Sequence, residues 1–472
     1  MARTAAWTSA LLLAAFAAYS LYRAFAKKAT EAHKCKVGGE VWAVRRKAMS
    51  PAFSAANIAA HVPGMADEVG VLVRKLKARA GRDGTWGGVF ALQELTTRMT
   101  LDIIYRFSIG ARAGDQDGDT LTPASASLVS QIKLLRFHTN ISTFHDIYSP
   151  LRGWKLWRNS RVMDSYLLPF IRARFDRCGQ NESKSAAADT TGAKTLLDVL
   201  VDQHGKQASN TGYGILQTLG ETKHALFAGH ETTSFTLCTV LNMLAQHPRA
   251  LARVRAEVDE VLGKDEDDDD PTSLDRVLQR IRKSPHLLNG LVYTTAVIKE
   301  TMRLETNIGT LRAGRPGFSL HGPSASGPYH GVEFPTEGCI MMDANFAIHR
   351  GAGWGESPLE FAPERWLSAS GGDGTQYPAP PRNAYRPFEL GPRNCVGQLL
   401  AMTELRLATA LVVRELDVEC AWDEWDEMTG NKGPKAKRPT VWGSRLYHVN
   451  RHGVPQLKDG MPVHVRLRSD AR

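Results

Sequence analysis

Phe388-Glu389-Leu390-Gly391-Pro392-Arg393-Asn394-Cys395-Val396-Gly397 sets one cysteine in a glycine-punctuated loop directly ahead of a helical run, residues 398–415. A thiolate kept as a metal ligand needs positive potential, backbone N–H donors and little water around it. Arg393 supplies charge, and the following helix turns its positive dipole end toward the loop. Gly391 and Gly397 let the backbone lie against a flat group where a Cβ would collide. The pattern F-x-x-G-x-R-x-C-x-G fixes Phe388, Gly391, Arg393, Cys395 and Gly397 together. A buried structural cysteine in a Gly/Pro loop is the weaker alternative.

Outward from this loop, helical periodicity dominates. It predicts helices over residues 92–107, 166–176, 216–246, 251–262 and 287–304, with short extended segments at 332–334, 339–342 and 462–467. The chain therefore reads as mainly α with a minor β region. No alternating β/α rhythm or GxGxxG turn supports a dinucleotide fold. Low complexity is confined to the acidic run Asp265 to Asp270 and to Gly/Ser/Pro-rich connectors at 322–331 and 368–381. The acidic run reads as a solvated loop.

At 472 residues with 43% hydrophobic composition, the chain can bury a large core. Its six cysteines (Cys35, Cys178, Cys238, Cys339, Cys395, Cys420) show no CxxC pairing, which argues against a disulfide scaffold or zinc module. A formal charge of +10 favours anionic partners, phospholipid headgroups or an acidic electron donor among them. Nucleic acid is not expected as a partner, since no recognition motif accompanies the charge. From Thr4 to Tyr22 the chain carries no charge, and Arg23, Lys27 and Lys28 follow. That length suffices to cross a bilayer core, and the basic cluster predicts that the remainder faces the cytoplasm. A cleaved signal peptide ending at Ala24-Phe25-Ala26 is the alternative.

Further motifs converge on one chemistry. Ala228-Gly229-His230-Glu231-Thr232-Thr233 puts a glycine, an acid and two hydroxyls inside an apolar helix, a costly choice that a local opening of the helix would explain. Glu300 and Arg303 lie three apart on one helix face and can pair. Phe361-Ala362-Pro363-Glu364-Arg365-Trp366 follows, and Trp42 and Arg46 are one helical turn apart. Taken together, F-x-x-G-x-R-x-C-x-G, [AG]-G-x-[DE]-T-[TS], E-x-x-R, F-x-P-E-R-W and W-x-x-x-R resemble the cytochrome P450 superfamily. The match runs from Trp42 to the C-terminus, and its phrasing is most similar to ascomycete fungal enzymes of secondary metabolism.

That resemblance implies the cytochrome P450 fold holding haem b (iron protoporphyrin IX), with Cys395 as axial ligand of the iron. It gives Glu231 and Thr232 the catalytic roles of proton delivery and hydrogen bonding to dioxygen. Trp42 and Arg46 would bond one haem propionate, with Arg312 and Arg393 completing the anionic grip. Phe388, Gly391 and Gly397 would shape the loop, and Arg365 would share Glu300 with Arg303 in a structural network. The function implied is monooxygenation of a lipophilic small molecule, in secondary-metabolite (for instance polyketide) biosynthesis. NADPH would serve indirectly through a flavoprotein reductase docking on the basic face. A haem-thiolate isomerase or dehydratase, or an inactive truncated remnant, is the alternative. Dependence on cytosolic electron donors favours residues 1–28 as an uncleaved single-pass anchor in lipid of the endoplasmic reticulum membrane. Residues 29–472 then form the haem domain. Only about 14 residues separate Lys28 from Trp42, far fewer than is usual in the family. The resemblance thus implies an N-terminally abbreviated domain lacking early strands, two helices and the loop that roofs the substrate pocket. A gene model missing an exon is the preferred explanation.

Overall fold

A long apolar helix flanked by shorter ones is the frame of the molecule, as the periodicity predicts. The computed structural model describes residues 39–134, 151–179, 192–205, 213–263, 273–306, 309–322, 329–367, 380–430, 446, 448–449 and 456–468. The expected anchor, Cys35, the acidic run and most of both connectors lie outside the described residues. No helix among the described residues is long and apolar enough to cross a membrane.

In chain order the first elements are α1 (Gly39–Met49), α2 (Ala55–Lys77), β1 (Phe90–Ala91), α3 (Leu92–Ile109), α4 (Pro123–Leu134), α5 (Arg152–Gly179) and α6 (Leu196–Gly205). There follow α7 (Tyr213–Gln246), α8 (Pro248–Leu262), α9 (Ser273–Lys283) and α10 (Val292–Leu304). The last third holds β2 (Leu311–Ala313), β3 (Ser319–His321), β4 (Glu333–Pro335), β5 (Ile340–Met342), α11 (Asn345–Ile348) and α12 (Gln398–Glu415). It closes with β6 (Leu416–Cys420), α13 (Trp422–Met428), β7 (His448–Val449), β8 (Gln456–Leu457) and β9 (Pro462–Leu467).

Local chemistry sets several limits. α3 stops at Gly110, whose φ of +75° gives a left-handed cap with its N–H on Arg106 O. α8 opens on Pro248, at the helix position where a missing N–H costs nothing. The helix expected over 287–304 divides in two. A 3₁₀ turn, Pro285–Gly290, precedes α10, because Leu291 at ψ 65° leaves the helical region. The segment expected at 166–176 is the C-terminal part of the longer α5.

The core forms where α3 lies along α7, with α2 and α12 packed beside them. Leu101, Ile104, Phe235, Leu237, Leu405 and Leu411 are among its buried members. β9 pairs antiparallel with β1 and β6, Val463 opposite Phe90 and Val465 opposite Val418. β2–β5 and β3–β4 form separate antiparallel ladders. Leu311, Ile340 and Met342 share one face of β2–β5 and are 48%, 77% and 68% exposed. Apolar side chains left that open mark a sheet face with no partner among the described residues.

Candidate haem-thiolate site

The cysteine loop is a tight turn fixed by its own backbone. Cys395 N–H donates to Phe388 O at 2.8 Å, and Asn394 N–H to Gly391 O at 3.1 Å. Phe388 packs against the core from one side of the loop. Gly391 has φ +77°, a conformation costly for any residue with a Cβ. A Cβ there would meet open space, so the turn itself, rather than close approach, requires this glycine. At Gly397 a Cβ would stand 3.7 Å from the Phe53 ring and 3.9 Å from Cys395 Sγ. Its absence leaves room beside the sulfur.

Cys395 is solvent-accessible at its residue surface, yet protein atoms crowd its sulfur. That burial pushes the thiol up from its ordinary value, while the Gly397 N–H and the charge of Arg46 pull it down. A coordinated metal ion overrides this balance and deprotonates a thiol outright. Gly397 is the N-cap of α12, so the sulfur lies at the positive end of an 18-residue helix.

Trp42 and Arg46, which the sequence pairs, meet adjacent residues of the cysteine loop. Arg46 donates to Asn394 O at 2.6 Å and Asn394 Oδ1 at 2.8 Å, clamping the residue next to Cys395. Trp42 instead lines a cavity of about 390 Å³ together with Ala43, Arg312, Leu390, Pro392 and Arg393. Arg393 stands over the Trp42 ring, its guanidinium carbon 4.2 Å from the ring centroid. Arg312 reaches the cavity from β2. Two guanidiniums and an indole, with no acid among the lining residues, suit a planar group carrying carboxylates. The loop bearing Cys395 supplies half of that lining. The donor set therefore fits a haem with its two propionates.

On α7, Glu231 is buried and accepts from Gln456 Nε2 at 2.5 Å. Burial raises its carboxyl above the ordinary value, against the opposing pull of the Gln456 donor and the charge of Lys133. Thr232 is partly exposed and donates to Ala228 O at 3.0 Å. The expected opening of the helix is absent: α7 is continuous from Tyr213 to Gln246, and the hydroxyl bonds its own backbone. Gly229 has another use. A Cβ there would fall 2.6 Å from Ile104 Cδ1, so this glycine lets α3 lie close against α7. His230 is fully buried, and burial lowers its imidazole to about 4.

The expected charge network is present, with Glu300, Arg303 and Arg365 all buried. Arg303 grips Glu300 through two bonds of 2.8 Å. Arg365 Nε reaches Glu300 Oε1 at 3.4 Å, and Trp366 Nε1 donates to Oε2 at 3.0 Å. Arg303 also binds the carbonyls of His349, Pro358 and Glu360. His349 is a packed histidine whose Nε2 accepts the Arg386 N–H at 2.9 Å. Sequence reasoning missed Asn394 and Gln456. Asn394 fills a variable position of the motif, and Gln456 belongs to none; only its place opposite Glu231 in space singles it out.

Comparisons with known proteins match most of the chain. Residues 16–440 match the family described as cytochrome P450. The chain is 30% identical over 425 residues to the cytochrome P450 monooxygenase polC of Polytolypa hystricis, covering 88% of this chain and 69% of that protein. It is 30% identical over 446 residues to the cytochrome P450 monooxygenase acrF of Aspergillus aculeatus, covering 90% and 82%. The crystal structure of a cytochrome P450 designated CYP102L1 superposes with a TM-score of 0.63 at 20% identity, covering 92% of this chain and 83% of that one.

Proposed function

The chain belongs to the cytochrome P450 family and is by that membership a monooxygenase, and from this premise we propose that it inserts one atom of dioxygen into a lipophilic small molecule. One observation carries the reading. A thiol at the N-terminus of α12 sits on a loop whose flank builds a cationic cavity with Trp42 and Arg312.

Haem b, when bound, supplies the iron centre at which dioxygen is activated. Cys395 would ligate it, while Trp42, Arg312 and Arg393 would hold its carboxylates. Arg46 would keep the thiolate loop in register through Asn394 and add positive potential to the sulfur. Glu231, with the Gln456 amide on Oε1, would carry its proton on Oε2 and act as the general acid. Thr232 spends its hydrogen on Ala228 O but keeps oxygen lone pairs that accept, so it can orient a water beside the acid. That arrangement has no use in a haem-thiolate isomerase, which needs no protons for dioxygen.

NADPH would deliver electrons through a flavoprotein reductase drawn to the basic surface. Residues 1–28 would anchor the chain in the endoplasmic reticulum membrane with its bulk in the cytosol, on the hydropathy of residues 4–22. The fungal relatives support a place in secondary metabolism. The open apolar face of β2–β5 supports a domain abbreviated ahead of Trp42, and contiguous transcript across the codons for Lys28 to Trp42 would count against a lost exon. The whole reading is tested by the reduced carbon-monoxide difference spectrum of the haem-loaded chain. A thiolate-type band is expected, and a chain that loads haem without one would refute it.

A further inference from the structure

Gln456 meets Glu231 across 225 residues of sequence, Nε2 to Oε1 at 2.5 Å. We infer that Gln456 is a positioning residue for proton delivery, holding the Glu231 carboxyl in place through an uncharged donor. The inference rests on the oxygen-activating reading above and deepens it.

Three observations make Gln456 a fixed partner rather than a chance neighbour. Its strand is pinned, since the Leu457 N–H donates to Gln93 Oε1 of α3 at 3.2 Å and the Leu457 side chain is buried in the core. Successive strand residues point to opposite sides. With Leu457 seated in the core, its neighbour Gln456 points the other way, where its amide meets Glu231 on α7. Gln93 also ties back to α7, accepting from Ser234 Oγ at 3.5 Å through its carbonyl. The acid thus sits where α3, α7 and β8 converge.

The choice of an amide matters chemically. An arginine or lysine at this place would favour the carboxylate and hold it ionised, which makes a poor proton donor. An amide orients one oxygen without a full charge and does not titrate. Burial can then keep the carboxyl raised, as it does, against the pull of the Gln456 donor itself and the smaller pull of Lys133 on α4.

The test uses the full chain loaded with haem, NADPH, a flavoprotein reductase and 7-ethoxycoumarin as lipophilic probe. The C=O stretch of Glu231 is identified by subtracting the infrared spectrum of Glu231→Gln. Gln456→Leu should shift that band, lower product per NADPH about ten-fold or more, raise peroxide, and leave the carbon-monoxide spectrum unchanged. The exchange Glu231→Gln with Gln456→Glu restores a bond between strand and helix but moves the acid off α7, so coupling should stay low. An unmoved infrared band in Gln456→Leu overturns the inference, as does full recovery in the exchange, which would make the pair a mere fastening. If Gln456→Leu fails to load haem, Gln456→Arg serves. It keeps a donor, and loss of the C=O band as the carboxylate pairs is expected; an unchanged band overturns the inference. A fully coupled Glu231→Gln refutes the oxygen-activating reading instead, and where the wild-type chain does not turn over the probe, the infrared band alone decides whether Gln456 positions the carboxyl.

Discussion

At the scale of single residues, Cys395 and Glu300 carry opposite kinds of necessity. Cys395→Ala should abolish the thiolate-type carbon-monoxide band and all NADPH-supported oxidation while leaving the fold, because the side chain fills no core position. A surviving band would transfer the ligand role to another cysteine. Glu300 has no such surface freedom. Its carboxylate takes both Arg303 bonds and those of Trp366 and the Ala362 N–H with no solvent contact. Glu300→Leu would strand two buried guanidiniums, and removing one partner of a buried pair costs about 3–5 kcal/mol. Urea unfolding midpoints of the variant and parent measure this.

At the scale of elements, the contact between α3 and α7 depends on Gly229. A Cβ 2.6 Å from Ile104 Cδ1 forces the helices apart or the isoleucine out of its rotamer. Overpacking of this kind costs about 1–3 kcal/mol, so Gly229→Ala should lower the thermal midpoint. Trimming the obstacle with Ile104→Ala in the same chain should return part of that loss, and strictly additive effects would show that the two do not meet. α2 teaches the converse lesson. Pro63 and Gly64 interrupt its pattern, yet the helix runs on to Lys77. Packing against α9 and α12 outweighs the local penalty, with Gly70 giving way to Leu278.

At the scale of the whole molecule, two properties follow. His230 is buried neutral with its value lowered to about 4, whereas an unfolded histidine titrates near 6.5. Below that unfolded value the unfolded chain binds a proton that the native state refuses. Stability therefore falls as pH drops from about 6.5 toward 4, by roughly 2 kcal/mol at pH 5 from this one group. His230→Gln should flatten that part of a plot of unfolding midpoint against pH. The second property is the open face of β2–β5. Ile340→Lys with Met342→Lys should reduce self-association in light scattering, with the haem spectrum unchanged, since neither side chain is buried.

The residues proposed for the chemistry and for its structural support stood out because their spacing is local. Cys395 with its glycines, the Glu231–Thr232 dipeptide and the Glu300–Arg303 turn each lie within a few positions, where chain geometry alone sets which groups share a loop or a helix face. The same holds for α12 and β9, whose limits in the structure coincide with the periodic runs at 398–415 and 462–467. What the linear order left open was every relation between distant segments. That Arg46 serves Asn394 while Trp42 goes to Arg393, and that Gly229 makes room for Ile104 rather than opening its helix, follow from how the helices pack. Gln456 opposite Glu231 is the clearest case, since an amide 225 positions away acquires meaning only when the fold closes the distance. Local spacing constrains backbone angles and helix faces; partner choice over long separations is settled by tertiary packing, which fixes the pairs that bury best together.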